Sequence, residues 1–596
     1  MNACGLVALT LAAVSSMANA APVSDSFSPS PGSSPVAVSI SGYKLPAKID
    51  PEVATELPTE LWATVYRPTD MGRRAHPLLM FLHGDYATCG HLVAGVGRVD
   101  DSIEYTFDGK CPAGYFPIQS QLGYGYAARG LAARGYIVVS INANRGVNFA
   151  PPALGDAGLT LRRGRLVLRH LQAWTHWNHQ RGIAPLSLGF DPVGRIDFSE
   201  VGLMGHSRGG EGVRAAVSQY QEKGSFWPIR LDPDFRFKAI LEIAPVDGAS
   251  SETINAQNLA WAVVLPLCDN SVPMLDGLRI FDRGMSALGE ELPAVKATFA
   301  VAGTNHNFFN SVWRAERFQQ PTDSAYPGGC VDQQPLFDSQ ATGSLTEQAI
   351  GWAVMDAFFR ATVGSEKTPE LLQLFDAAYP LPAWLARLTP IERGYSSSDS
   401  RQTILPIEDF TAPTGQNSNG PANLALNIDI THDYVPEHAV QGGWVSWNRV
   451  AGSAPNKAYF QTNWTGPGYG RSVRGFDTLT LRASLQCGPS LFSCSQTSPL
   501  NDPTRPVNFS IALVTSDGKL SDSVRAGDFA ILVGPVGSLS GLGDTIERHP
   551  TLQSLRIPLD AFGLSSTAKV RGVRFTFDQS PSGAIYLANI RLDREW

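Results

Sequence analysis

The segment Gly205-His206-Ser207-Arg208-Gly209 joins an apolar run, Val201 to Met204, to a helical pattern from Glu211 to Gln219. Nucleophilic chemistry needs this arrangement. A serine on a sharp strand-to-helix turn projects its hydroxyl from the edge of a sheet, and glycines on either side keep the turn free of clashes. The hydroxyl attacks only with a base beside it, and the base needs a carboxylate to orient its ring. In the chain order Ser, acid, His, the base is His306, which follows the apolar run Ala297 to Ala302 in Gly303-Thr304-Asn305-His306. Three carboxylates compete for the remaining place: Asp269, directly after the run Trp261 to Leu267; Asp276, seven residues further; and Asp247, after Glu242-Ile-Ala-Pro-Val. Asp269 suits the role best because it directly follows a buried strand. Charge on the attacked oxygen calls for two backbone donors. The N–H of Arg208 is one. The second belongs to His83-Gly84-Asp85-Tyr86, where Asp85 leads and Tyr86 is next, with Gly84 allowing the backbone to approach closely.

The elements that must position these groups are legible as patterns. Val36 to Ile40 and Leu61 to Tyr66 alternate as half-buried strands do. Leu78-Leu-Met-Phe-Leu82 and Tyr136 to Asn142 are unbroken apolar runs, the mark of strands covered on both faces of a parallel sheet. Helical stretches at Tyr124 to Arg134 and Leu159 to Trp174 alternate with them, and further strands fall at Val201 to Met204, Ala239 to Ile243, Trp261 to Leu267 and Ala297 to Ala302. A capping box, Ser344 with Glu347, opens a last helix carrying Leu345, Trp352, Met355 and Phe359 on one face. Residues 37–395 thus read as one α/β domain with a mostly parallel, doubly wound sheet. Residues 400–596 read as an all-β sandwich of jelly-roll type that folds separately, from short alternating strands at Leu479 to Leu485, Leu555 to Leu559, Val573 to Phe577 and Ile585 to Leu587.

The chain has 596 residues, beyond the size of one core, with 43% hydrophobic and 17% charged residues and a formal net charge of −7. That sign opposes phosphate backbones, so nucleic acid is not expected as a partner. Residues 1–20 carry no charge, contain the apolar block Leu6 to Val14 and end in Ala18-Asn19-Ala20, a signal-peptide shape, although the usual leading Lys or Arg is missing. Residues 21–36 are a flexible Ser/Pro-rich lead-in, and no later run is long enough to span a membrane. Export to a secreted or periplasmic location fits the six cysteines left after the leader, paired by sequence neighbourhood as Cys89 with Cys111, Cys268 with Cys330 and Cys487 with Cys494. No Cys-x-x-Cys or paired-His spacing supports a metal site, and no cofactor is called for.

His83-Gly84, the Gly-His-Ser-Arg-Gly-Gly string around Ser207 and Asn305-His306-Asn-Phe-Phe-Asn resemble secreted bacterial α/β-hydrolases in the neighbourhood of chlorophyllases, dienelactone hydrolases and polyester-hydrolysing cutinases. The resemblance covers about residues 60 to 365. It implies an α/β-hydrolase fold and hydrolysis of small-molecule or polymeric carboxylic esters through an acyl-enzyme, without metal or organic cofactor. The acid region departs from the usual Gly-x-x-Asp, having Cys268-Asp269-Asn270-Ser271. The C-terminal strands resemble galactose-binding-like or carbohydrate-binding jelly rolls. On that resemblance Trp444, Trp447, Tyr459 and Trp464 are either a sugar-stacking platform, giving a polysaccharide or surface contact, or ordinary core packing. The alternatives to an esterase are an acyltransferase with the same triad and a binding protein whose hydrolase domain is inert. Phe149, Trp227 and Phe308 are candidates for an acyl pocket.

Overall fold

The computed structural model describes residues 36–92, 99–104, 106–148, 155–250, 253–256, 258–286, 294–313, 330–336, 343–396, 404–448, 458–488, 494, 496–539, 546–565 and 567–594. The expected signal peptide, most of the Ser/Pro lead-in and Phe149 lie outside them. Among the described residues no helix is long and apolar enough to cross a membrane.

The N-terminal part is built on a mixed sheet of nine strands. Six run parallel, in the spatial order Ile137–Ile141, His76–Leu82, Ile196–His206, Phe237–Ile243, Ala260–Pro266 and Lys296–Val301. Antiparallel strands close both sides: Trp62–Pro68 and then Val38–Lys44 beyond Ile137–Ile141, and Ile391–Ser396 beyond Lys296–Val301. The unbroken apolar runs arise because side chains alternate between two separate cores. Leu78, Met80 and Leu82 enter one core with Leu203, Val263 and the helices α2 (Thr160–His179), α3 (Arg208–Gln221) and α4 (Gly277–Ser286). Leu79 and Phe81 enter the other with Met204, Val264, Phe299 and the helices α1 (Gly125–Ala133) and α5 (Leu345–Thr362). On α5 the capping serine behaves as expected, since Ser344 Oγ accepts from the Glu347 amide at 3.0 Å. Met355 and Phe359 are buried, whereas Leu345 is 77% exposed. Helical periodicity places Leu345 with them, but in the first turn it is Glu347 rather than Leu345 that faces inward.

The C-terminal part contains two six-stranded antiparallel sheets. One centres on Ser582–Asp593, flanked by Gln441–Asn448 and Thr478–Leu485, and the other on Lys569–Thr576, flanked by Tyr459–Asn463 and Ser510–Thr515. Leu479, Leu481, Ile585 and Leu587 of the first meet Phe460, Ile511, Val573 and Phe575 of the second in one core. Trp447 stacks on Phe577 inside it and Trp464 is buried there too, while Trp444 packs against Tyr586 in a separate cluster and Tyr459 lies under Arg574. These four rings therefore form no common platform. Trp444 and Trp447 are three apart on one strand, so they point to opposite faces. All three neighbour-paired disulfides are present.

The expectation of separate folding meets a buried polar junction between the two parts. Asp282 of α4 accepts from His438 at 2.8 Å, from the Ala439 amide at 2.9 Å and from Arg482 at 2.5 Å, with all three side chains withdrawn from solvent. Arg556 lies 2.9 Å from Asp376, and the Tyr395 amide donates to Ser554 at 3.0 Å. Burial alone would raise the Asp282 pKa, but His438 and Arg482 together hold it below the ordinary carboxylate range. Its contribution is therefore full above the unfolded-state value near ~4 and lost as pH falls below it toward the folded value. Asp282→Asn leaves Arg482 buried without its counter-charge and is expected to cost about 3 kcal/mol, read by urea denaturation of the full chain at pH 7, with the difference from the native protein shrinking as pH falls below 4.

Candidate active site

Ser207 caps α3 with φ 56° and ψ −127°, a backbone region that a residue with a side chain enters only when its surroundings impose it. The imposition is visible. The Ser207 amide donates to Ile243 O at 2.9 Å and its carbonyl accepts from the Gly210 amide at 2.8 Å. The turn also needs bare backbone, because a Cβ on Gly205 would fall on the Gly209 carbonyl and a Cβ on Gly209 on the Leu82 carbonyl. The motif glycines are thus consumed by packing the helix start onto two strand ends. Arg208 is the first residue of α3, where amides have no intrahelical acceptor and the helix dipole is positive.

The second and third strands along the sheet from this turn deliver the other groups at their C-terminal ends. Asp269 and His306 follow Ala260–Pro266 and Lys296–Val301, and His306 Nδ1 donates to Asp269 Oδ2 at 2.8 Å. The second Asp269 oxygen accepts from the Ser271 and Val272 amides at 2.9 and 2.7 Å, which fixes the carboxylate toward the ring. The two loops are tied together by the Cys268 amide, which donates to Thr304 O at 2.9 Å. Asp276 and Asp247 are engaged elsewhere. Asp276 pairs with Arg279 and accepts from the Asp247 amide, while Asp247 takes a two-pronged contact from Arg283 at 2.8 and 2.7 Å and lies beside buried Arg214. Of the three carboxylates, Asp269 is the one bonded to His306.

His206, next to Ser207, binds the His306 loop directly. Its Nε2 donates to His306 O at 2.8 Å and its Nδ1 accepts from the Tyr124 hydroxyl at 3.0 Å. This ring stays neutral, since burial first and His306 nearby second push its pKa well below the ordinary imidazole value. On the opposite side Gly84 touches Ser207 so closely that an added Cβ would lie 2.5 Å from its Cβ and 3.2 Å from its Oγ. That contact brings the His83 to Tyr86 loop to the hydroxyl. His83 is more than the end of a strand: its Nε2 accepts from the Ala143 amide and its Nδ1 donates to Gly84 O, both at 2.8 Å. Burial, with Arg163 adjacent, lowers its pKa to about 3, so it too remains neutral. Arg163 donates to His83 O at 3.1 Å and to Asn148 at 2.6 Å, and Asn148 in turn donates to Tyr86 O at 2.5 Å. The side chains of Asp85 and Arg208, whose amides are the expected oxyanion donors, pair with each other at 3.3 Å.

Sequence reasoning did not find Trp313. It is fully buried, stacks on Tyr86 at 5.1 Å and lies 4.7 Å from His206, so one indole joins the Tyr86 loop to the strand that ends at His206. Its only signal was an aromatic seven residues past His306. Phe308, two residues past His306, is buried, but Trp227 lies beyond the C-terminal end of α3 in a core cluster. A 14-residue helix, about 21 Å, separates it from Ser207, so it cannot line a pocket there.

No protein-family model matches the chain, and no curated protein matches it. Among the described residues no group of three or more His, Cys, Asp and Glu side chains is arranged to hold a metal ion.

Glu347 is fully buried behind the His306 loop, accepting from the Asn305 amide at 3.1 Å. Its other oxygen has no hydrogen-bond partner among the described residues, and burial raises its pKa well above the carboxylate range, against the smaller opposing effect of Asn305. The folded protein therefore keeps a proton that the unfolded chain releases above about pH 4.3, so this group lowers stability as pH rises from there. Glu347→Gln keeps the acceptor and removes the proton uptake. Its stability relative to the native protein is expected to increase from pH 5 to pH 8, by at most about 1.4 kcal/mol per unit, as measured by urea denaturation at both values.

Proposed function

We propose that this chain is a serine hydrolase of the α/β-hydrolase fold that cleaves carboxylic esters through an acyl-enzyme. The observation that carries the reading is Ser207 held at positive φ between a parallel strand and a helix, with its neighbour His206 bonded to the backbone of His306 and His306 bonded to Asp269. A strained strand-to-helix serine with an acid and a histidine following in that chain order is what this class of hydrolase requires.

In the proposed reaction Ser207 Oγ attacks the ester carbonyl while His306 Nε2 accepts the hydroxyl proton. Asp269 keeps the other ring proton on Nδ1 and stabilises the imidazolium. The Arg208 and Asp85 amides hold the oxyanion, and the C–O bond to the alcohol breaks as His306 returns the proton to the leaving oxygen. Water then attacks the acyl-enzyme with His306 again accepting a proton, which passes to Ser207 as the carboxylic acid departs. The neutrality of His83 and His206 keeps a second imidazolium from forming beside the first. The resemblance to bacterial ester hydrolases and the three disulfides support a secreted enzyme.

Turnover of a short-chain and a long-chain p-nitrophenyl ester by the mature chain tests this. Ser207→Ala is expected to abolish turnover and fluorophosphonate labelling. Asp269→Asn should lower kcat by about 10⁴-fold, and Asp276→Asn should leave kcat within a few-fold. Acyl product appearing on an added alcohol faster than as free acid would replace the hydrolase with an acyltransferase. A folded protein that does not label at all would remove the catalytic reading and favour a binding protein.

A further inference from the structure

The short segment after Cys330 touches both loops of the proposed triad and the C-terminal part at once. Cys330–Val331 pairs antiparallel with Val536–Leu539, a strand of the C-terminal part, in the register Cys330 with Ser538 and Val331 with Gly537. Two residues on, one amide side chain spans three backbones. Gln333 Oε1 accepts from the Gly303 amide at 2.9 Å, and Nε2 donates to Leu267 O at 2.9 Å and to Gly537 O at 3.2 Å. Leu267 lies two residues before Asp269, and Gly303 lies three before His306. Around this side chain the Cys268–Cys330 disulfide fastens the segment beside Asp269, and the Leu336 amide donates to Gly303 O at 2.8 Å. Asp332 pairs with Arg548 of the C-terminal part.

A triad bond depends on the relative placement of two loops to within a fraction of an ångström, and a displacement of about 1 Å can cost 100-fold in rate. The donor and acceptor ends of Gln333 hold one loop each, and its second N–H is satisfied by a strand from the far end of the chain. We propose that Gln333 is a positioning residue that sets the Asp269 loop against the His306 loop and uses the C-terminal part as its anchor. The C-terminal part is then a working component of the site rather than an appendage. This rests on the reading of Asp269 and His306 as acid and base, and the test separates the two.

The experiment compares the native full-length chain with Gln333→Met, which keeps length and loses all three bonds, and with Gly537→Ala, which lies wholly in the C-terminal part. A Cβ at Gly537 meets Val331 Cβ and Cγ1 at 3.0 Å, close enough that the paired segment must shift by a few tenths of an ångström. Two quantities are read: kcat and KM on a p-nitrophenyl ester, and the downfield proton resonance of the His306 Nδ1–H, assigned by its loss in His306→Ala. Gln333→Met is expected to lower kcat about 10-fold with KM within twofold and to shift or exchange-broaden the resonance. Gly537→Ala should act in the same direction by two- to fivefold. If Gln333→Met does not fold, Gly537→Ala alone decides. Folded variants with native kcat and an unmoved resonance overturn the proposal. If the native chain turns over no ester yet its resonance responds to both variants, the positioning role stands while the esterase reading falls.

Discussion

Ser207 adopts a backbone conformation that costs roughly 1–3 kcal/mol and persists only where its surroundings over-determine it. Those surroundings are the ends of three neighbouring parallel strands. Ile243 receives the serine amide, Leu82 leaves room for the Gly209 backbone, and Gly84 presses against the side chain itself. The sheet must therefore run strand beside strand without a covering side chain at this edge, and the two apolar cores on its faces supply the stability that tolerates the strain. Every other group at the site is placed relative to this turn.

The two histidines closest to the turn, His83 and His206, are arranged to stay neutral. His83 and His206 each have one ring nitrogen donating to a carbonyl and the other accepting from a donor, so both tautomers are fixed and both proton affinities are low. Trp313 fills the space between them. On the His206 side the proposed base is thus faced by a ring dipole of fixed direction, which is the condition for stabilising a charge that appears only transiently.

Much of this was legible in the residues because it is local. A strand running into Gly-His-Ser-Arg-Gly, a histidine at a later strand end and cysteines pairing with their sequence neighbours each follow from patterns a few to several tens of residues long. The choice among Asp269, Asp276 and Asp247 was open because all three follow strand ends, and what separates them is where Arg279 and Arg283 reach, which is a matter of tertiary placement. Leu345, Trp227 and Trp447 show the same limit from another side. Periodicity and residue type say that a ring or an aliphatic chain is available for burial, but not which neighbour covers it. The least legible feature was the contact between the two parts of the chain, since Asp282 and Arg482, 200 residues apart, carry no mutual signal in the sequence.

That contact bears on how such a chain can be assembled from pieces. Asp282 belongs to a helix of the first part, yet its carboxylate is satisfied by a histidine, an arginine and an amide of the second. The first part spliced to a foreign β partner would present a buried carboxylate to a surface without matching donors, and the β part alone would leave Arg482 without its counter-charge. Exchange of either part for a foreign one is opposed at this seam unless both sides of the ion cluster move together.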